Sequence, residues 1–411
     1  MNKRTNKLIF FLLAAVWLAF ARGHAAAQQI TNPQDGQKIG PPVSSGTSGQ
    51  EGHVSFKLER GDHIAVDNRT TGRIVITGWD KDTVEATATS ERGVELVRFF
   101  IKETNDRYIH LKADYLKRPE DEVPRPEPSP LPESTAAAPV PSGTPGVSPS
   151  PTEMPRKILM PGDVLPEPPL RDGKPVEVHL EVRVPRYAEI ELIRVIRSRV
   201  EVTGIETPIV VVGNKGDVVL KKVREAEVRT RSGAVSIEDT AGFIEVITAS
   251  GTVSVRRAEN DVRVLTISGD IELECVEGRV NVDSADGSIT LTNVQGDVEA
   301  NASNSAVRWT GAIRGDGRYH LKTMSGLVEM AVRDKPPGFT AALSTYSGTI
   351  ENDFQLQLKQ SIEQHPEDKI NRRIVGRLGN GQAQITLDSF DGKVKLSRLA
   401  PAELKDCKGR N

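Results

Sequence analysis

The chain has 411 residues, with 54 Lys and Arg against 56 Asp and Glu, which gives a formal charge of −2. That balance leaves no basic field to draw the protein to nucleic acid. Aromatic residues make up only 4% against 35 glycines and 26 prolines, a composition that argues against a large helical enzyme and for short aliphatic strands between frequent turns.

Lys3, Arg4 and Lys7 precede the apolar run Leu8 to Phe20, and Ala25, Ala26 and Ala27 follow. These are the charged, apolar and small-residue parts of a secretory signal over 1–27, with cleavage after Ala27. The run is thirteen residues long, too short for a helix that needs about 20 to cross a bilayer, and no second apolar span follows. The mature chain is expected in a periplasmic, cell-surface or extracellular place, without a membrane-spanning segment. A polar lead rich in Gly, Ser and Pro, expected to be disordered, occupies 28–52.

Alternation begins at His53 and continues through Ile64 to Val66, Arg73 to Ile76, Thr83 to Ala88 and Val94 to Val97, so 53–118 reads as a small β region. From Pro119 to Pro175 the chain carries 17 prolines in 57 residues, which can neither complete a sheet ladder nor bury a core. The flanking runs Arg107 to Ala113 and Val176 to Val184 share the same alternation, which predicts that they pair antiparallel and bring His110 beside His179. On that reading 119–175 is a disordered insertion thrown out of one β region, because closure entropy grows only logarithmically with loop length.

The most regular stretch lies between Asn214 and Ala300. Glycines recur at 233, 242, 251, 269, 278, 287 and 296, with Asn260 in the place of a missing one. Two and four residues after each leader stand apolar side chains, among them Val253 and Val255, Ile271 and Leu273, and Val280 and Val282. A strand places both on one face. The seventh position (Ala249, Ala258, Ile267, Val276, Ala285, Val294) is small or apolar and is expected to turn inward at a corner, while the leading glycine suits a positive φ there. Two nine-residue units, one for each wall, make an eighteen-residue coil.

These features define an all-β chain: a β-solenoid or β-helix-like stack over 176–398, about nine residues per strand-turn unit, preceded by the small β region. Degenerate copies continue the pattern at Gly216, Ser325, Tyr346 and Asp391. Leu356 to Ile362 is expected to form a short helix, and 399–411 a flexible tail. A calcium β-roll is disfavoured because corner Asp appears only at Asp217, Asp261, Asp270 and Asp297.

Cys275 and Cys407 lie far apart in sequence and lack CxxC spacing; two unpaired thiols are the preferred reading over one bridge. The seven histidines have no metal-ligand spacing, and no nucleophile elbow, phosphate loop or dinucleotide fingerprint is present. No catalytic, cofactor-binding or metal residue is therefore assigned, and no cofactor. Wall carboxylates such as Asp270, Glu272 and Glu274 read as a solvated face. Phe243, Ile247 and Leu265 fall on one wall and are expected to be covered by other strands.

The order of Gly72-Arg-Ile-Val-Ile-Thr-Gly-Trp79, Val182-Arg-Val-Pro185 and Ser-Gly-x-Val/Ile-x-Val/Leu units at Ser232, Ser250, Ser268, Ser325 and Ser347 resembles a bacterial envelope family called "putative adhesin", a domain of unknown function. The resemblance spans about Val54 to Ser397 and implies stacked β units with surface or adhesive behaviour, without catalytic residues. The resulting expectation is an exported, non-catalytic envelope scaffold or binding module whose partner is an envelope or surface component, protein or polysaccharide. The alternatives are a polysaccharide-active enzyme and a self-assembling structural protein. An inward residue such as Val280 should not tolerate Asp, whereas Ser288→Asp should be nearly silent.

Overall fold

The computed structural model describes residues 51–90, 97–103, 108–115, 170–171, 174–363, 370–399 and Cys407. The expected signal sequence over 1–27, most of the polar lead and most of the Pro-rich stretch lie outside them. Every regular element among the described residues is a strand.

The N-terminal strands are β1 (Glu51–Lys57), β2 (His63–Trp79), β3 (Thr83–Thr89), β4 (Val97–Glu103) and β5 (Tyr108–Tyr115). A small hairpin, β6 (Leu170–Arg171) with β7 (Lys174–Pro175), precedes β8 (His179–Pro185), β9 (Glu189–Lys215) and β10 (Val218–Ser232). The regular repeats follow as β11 (Val235–Thr240), β12 (Ile244–Ser250), β13 (Val253–Ala258), β14 (Val262–Ser268), β15 (Ile271–Val276), β16 (Val280–Ser284), β17 (Ile289–Val294), β18 (Val298–Ala302) and β19 (Val307–Gly311). The C-terminal part comprises β20 (Arg318–Ser325), β21 (Val328–Arg333), β22 (Phe339–Ser347), β23 (Ile350–Asn352), β24 (Gln357–Glu363), β25 (Ile370–Leu378), β26 (Ala383–Asp391) and β27 (Val394–Leu399).

Parallel pairing skips one strand at each step, so two walls face each other. The front wall stacks β11, β13, β15, β17, β19 and β21, and the back wall β12, β14, β16, β18 and β20. Val253 pairs with Ile271 and Val262 with Val280, each a step of 18 residues (271 − 253; 280 − 262). Val298 pairs with Tyr319 and Val307 with Val328, which lengthens that coil to 21. Trp309 and Tyr319, both fully buried and in edge-to-face contact at 5.2 Å, occupy this wider section.

At both ends the coils stack out of chain order. β2 bends round a corner so that His63–Asn68 joins the back wall and Ile74–Trp79 the front, and it lies between β9 on one side and β5 and β8 on the other. β26 and β27 insert between β20 and β21 on one side and β22 and β23 on the other. Antiparallel strands close the open ends, β1 and β3 beyond β8, β4 beyond β5, and β25 and β24 beyond β22.

Four sequence expectations change. β5 and β8 do not pair: each runs parallel to a different half of β2, on opposite walls, so His110 aligns with Ala65 and His179 with Thr89. The bend in β2 is the cause, since it splits neighbours of one strand between two sheets. The helix expected over Leu356 to Ile362 is strand β24, because its alternating Leu and Gln pair antiparallel with β25 through a bulge between Leu358 and Gln360. β1 also starts at Glu51, ahead of the expected boundary.

The fourth change concerns the corners. On the front wall the sixth residue of each unit has positive φ without being glycine: Lys222 (52°), Asp239 (58°), Arg257 (54°), Cys275 (60°) and Asn293 (53°). That left-handed residue interrupts the alternation, so the seventh position turns inward and Ala258, Val276 and Val294 are buried. The back wall has no such break. There the sixth position points inward as Thr248, Thr266 and Ser284, while Ile267 at the seventh lies exposed. The Thr248 hydroxyl donates to the Ser250 carbonyl at 3.1 Å, which satisfies a polar group at the turn.

The glycine leaders serve close approach, and Gly233 and Gly251 also carry the expected positive φ, at 124° and 115°. A Cβ on Gly269 or Gly287 would overlap the carbonyl oxygen of the glycine one coil earlier, Gly251 or Gly269. Aliphatic pairs such as Val253 and Val255, and Val280 and Val282, are fully buried between the walls. Burial of each such side chain is worth about 1.5–3 kcal/mol.

Ser288 is not a silent outward residue, because both its amide and its hydroxyl donate to Asp270, at 2.8 and 2.7 Å. A carboxylate at 288 would face Asp270. Thr290 is the better outward control. In urea unfolding, Val280→Asp is expected to cost about 4 kcal/mol or more through an unpaired buried charge, and Thr290→Lys about 0.5 kcal/mol or less. Equal losses would refute the inward and outward assignment.

Candidate functional site

Two features stand out on the solenoid corners. At the front-wall corner, the left-handed residues Lys222, Asp239, Arg257 and Cys275 line an open groove of about 670 Å³ together with Arg224, Glu259, Glu277 and Cys407. Arg257 contributes its charge internally: its guanidinium donates to Asp239 at 2.5 Å and to Glu238, and both carboxyls are held below their usual range, first by those hydrogen bonds. Lys221 adds a second cation 3.5 Å from Glu238.

Cys275 and Cys407 are joined by a disulfide across 132 residues of chain. The preference for unpaired thiols is therefore corrected. Sequence separation hid the pairing because the left-handed turn at Cys275 and the insertion of β27 between β21 and β23 are both tertiary features. In the chain-entropy view a bridge closing a loop this long is worth about 4–5 kcal/mol. It fixes one residue of the expected flexible tail beside the groove.

At the opposite corner the residue two places before each turn glycine forms an outward file on the back wall. Ala249, Ile267, Ala285, Ser303, Met324, Phe390 and Tyr346 each follow directly on one of the register partners Thr248, Thr266, Ser284, Ala302, Thr323, Ser389 and Thr345, and so succeed one another along the wall. Ile267 is 59% exposed, Met324 40%, Phe390 55% and Tyr346 47%. The Phe390 and Tyr346 rings stack with centroids 4.9 Å apart and planes within 5°. The signal was present as an apolar residue in the tripeptides Met324-Ser-Gly, Tyr346-Ser-Gly and Phe390-Asp-Gly. Their adjacency was hidden, because β26 inserts out of chain order.

The apolar side chains singled out from sequence behave differently. Ile247 and Leu265 are register neighbours and half-buried, whereas Phe243 is 44% exposed, so the expected cover does not extend to it.

The wall carboxylates are mostly engaged. Asp217, Asp261, Asp270 and Asp297 each accept a backbone N–H from the next coil, from Ala234, Arg279, Ser288 and Arg318 at 2.7–3.1 Å. Corner aspartates thus bind coil to coil. Glu274 lies 3.7 Å from Arg256, and Glu329 lies between Arg308 and Lys395. Among the described residues, no group of three His, Cys, Asp or Glu is placed to hold a metal ion.

One cluster brings a serine, an aspartate and a histidine together on the back wall. The Ser344 hydroxyl donates to Asp388, and His320 Nε2 lies 3.6 Å from the other Asp388 oxygen. The order is wrong for a serine–histidine–aspartate relay, since the carboxylate stands between the hydroxyl and the imidazole. Burial pushes the Asp388 carboxyl up, but hydrogen bonds from His320 and Ser344 outweigh it and hold it below the usual range.

The fold is thus that of a two-walled parallel β-solenoid with paired outward charges. The chain matches Toastrack DUF4097 over residues 179–397, more than half of its length, and belongs to that family. This agrees with the resemblance read from the Ser-Gly units. Solved structures with some likeness include a putative cell adhesion protein from Clostridium sporogenes ATCC 15579, at 9% identity, covering 84% of this chain and 99% of that one, with TM-score 0.22. Two others are putative adhesins. That from Parabacteroides distasonis ATCC 8503 is 12% identical, covering 69% and 98%, with TM-score 0.35. That from Bacteroides fragilis NCTC 9343 is 13% identical, covering 84% and 96%, with TM-score 0.31. No curated protein matches.

Because the folded Asp388 carboxyl titrates below its unfolded value of about 3.9, its stabilisation is full above that value and is lost as pH falls through the folded one. Urea midpoints measured from pH 6 to 3 should therefore fall more steeply in the native chain than in Asp388→Asn. Parallel slopes would contradict this.

Proposed function

We propose that the protein is an exported, non-catalytic scaffold or binding module of the cell envelope. The observation that carries this reading is the in-register ladder of the two walls, which turns outward positions into straight files of fixed spacing. A surface of that kind presents side chains to a partner without conformational search, so the ordering cost of binding is already met by folding. The paired wall charges fit a display surface better than a reaction centre, where groups are held with perturbed acidity and open to substrate. The partner is an envelope or surface component, protein or polysaccharide. The Pro-rich stretch is an excursion from the solenoid, and the N-terminal 27 residues are the export signal.

Fractionation of the native host tests the reading. The chain is expected outside the cytoplasm, with its N-terminus at Gln28 by mass spectrometry of the intact protein. A cytoplasmic chain retaining Lys3 to Ala27 would contradict export, and turnover of an envelope glycan by the purified chain would contradict the non-catalytic role.

A further inference from the structure

The file at the back-wall corner carries exposed large side chains at Ile267, Met324, Phe390 and Tyr346. In register order it reads Ala249, Ile267, Ala285, Ser303, Met324, Phe390 and Tyr346, with large side chains concentrated in the last three places. Seven rungs at the strand spacing of about 4.8 Å span about 29 Å. An apolar file of this extent is unusual on the surface of a monomer, where such side chains are normally scattered.

We infer that this file is a self-association surface that takes a second copy of the same chain, antiparallel, about a two-fold axis through Ser303. That axis sets two of the large side chains against alanines and the third against Ile267. Met324 faces Ala285 of the second copy, Tyr346 faces Ala249, Phe390 faces Ile267, and Ser303 meets itself. The same operation acts on the neighbouring outward file, whose register runs Ile247, Leu265, Asp283, Asn301, Lys322, Asp388 and Ser344. It places Asp283, which also accepts from Asn301 Nδ2 of its own chain at 3.0 Å, opposite Lys322 of the second copy, twice by symmetry; Asn301 meets itself, Leu265 meets Asp388 and Ile247 meets Ser344. A parallel arrangement has neither relation, because it sets the three large rungs against one another.

Steric and charge complementarity therefore select one orientation. The surface is one file with its flanks, smaller than the roughly 800 Å² per partner of a stable interface, so the dimer is weak and dependent on concentration. This inference is independent of what else the walls bind, and it uses the corner files rather than the terminal strand edges.

Sedimentation velocity on the mature chain, from low micromolar to near-millimolar concentration, is expected to show a monomer passing to a dimer. Phe390→Asp should raise the midpoint by about tenfold or more, with the far-UV circular dichroism of the fold retained and melting lowered only by loss of the stack on Tyr346. Asp283→Lys should weaken the dimer, and the double swap Asp283→Lys with Lys322→Asp should restore it. Ser303→Cys should give a covalent dimer on mild oxidation, and Thr290→Cys on the other wall should not. A chain that stays monomeric throughout overturns the proposal. So does a dimer indifferent to Phe390→Asp and the charge swap, or one in which Ser303→Cys crosslinks no better than Thr290→Cys.

Discussion

The contact on which this structure depends is the approach of one corner backbone to the next, where each glycine leader faces the carbonyl of its counterpart one coil earlier. At Gly233, Gly251, Gly269 and Gly287 a single added carbon would collide with that carbonyl. The close approach lets the amides of Ile271 and Ile289 reach the carbonyls of Ser288 and Ala306 at 2.8 and 2.9 Å. Once those bonds hold, side-chain alternation places two aliphatic residues per wall into the interior with no further instruction. Hydrophobic burial supplies the drive, and the corner supplies the register.

The two corners solve the same turning problem by different chemistry. The back wall ends in an inward hydroxyl and an outward apolar residue before a serine or aspartate and glycine. The front wall ends in a left-handed residue that reverses the side-chain sense and buries the next one. A non-glycine residue in that conformation costs about 1–2 kcal/mol, repeated at Lys222, Asp239, Arg257, Cys275 and Asn293. Cys275 and Arg257 show how the position is also used, the first for a bridge to Cys407 and the second for an ion cluster beneath it. Surface properties thus follow from which corner a residue occupies: mixed charge and a groove on one, an apolar file on the other.

Much of the regular stack was legible because the nine-residue period and the second and fourth apolar positions, as in Val262 and Val264, arise from local backbone geometry. Inward direction at the seventh position was legible for Ala258, Val276 and Val294 but not for Ile267, because a left-handed residue other than glycine leaves little trace in sequence. The Cys275–Cys407 bridge, the apposition of Met324, Phe390 and Tyr346, and the separation of β5 from β8 all depend on strands that enter the stack out of chain order. Pairing by strand insertion has no local signature, since an inserted strand carries the same alternation as a sequential one. The Asp270 to Ser288 bond was missed for a related reason: the step of 18 residues was visible, but the use of the carboxyl to cap the next coil was not.

Backbone contact between successive turn glycines is tested most directly by one substitution made at two glycines and compared by urea unfolding. Gly287 stands against the Gly269 carbonyl, whereas a Cβ at Gly315 would meet only Pro337 at ordinary distance. Gly287→Ala should lose about 2 kcal/mol or more, and Gly315→Ala should be neutral or slightly stabilising through the unfolded chain. Indistinguishable stabilities for the two variants would contradict the stacked-corner structure.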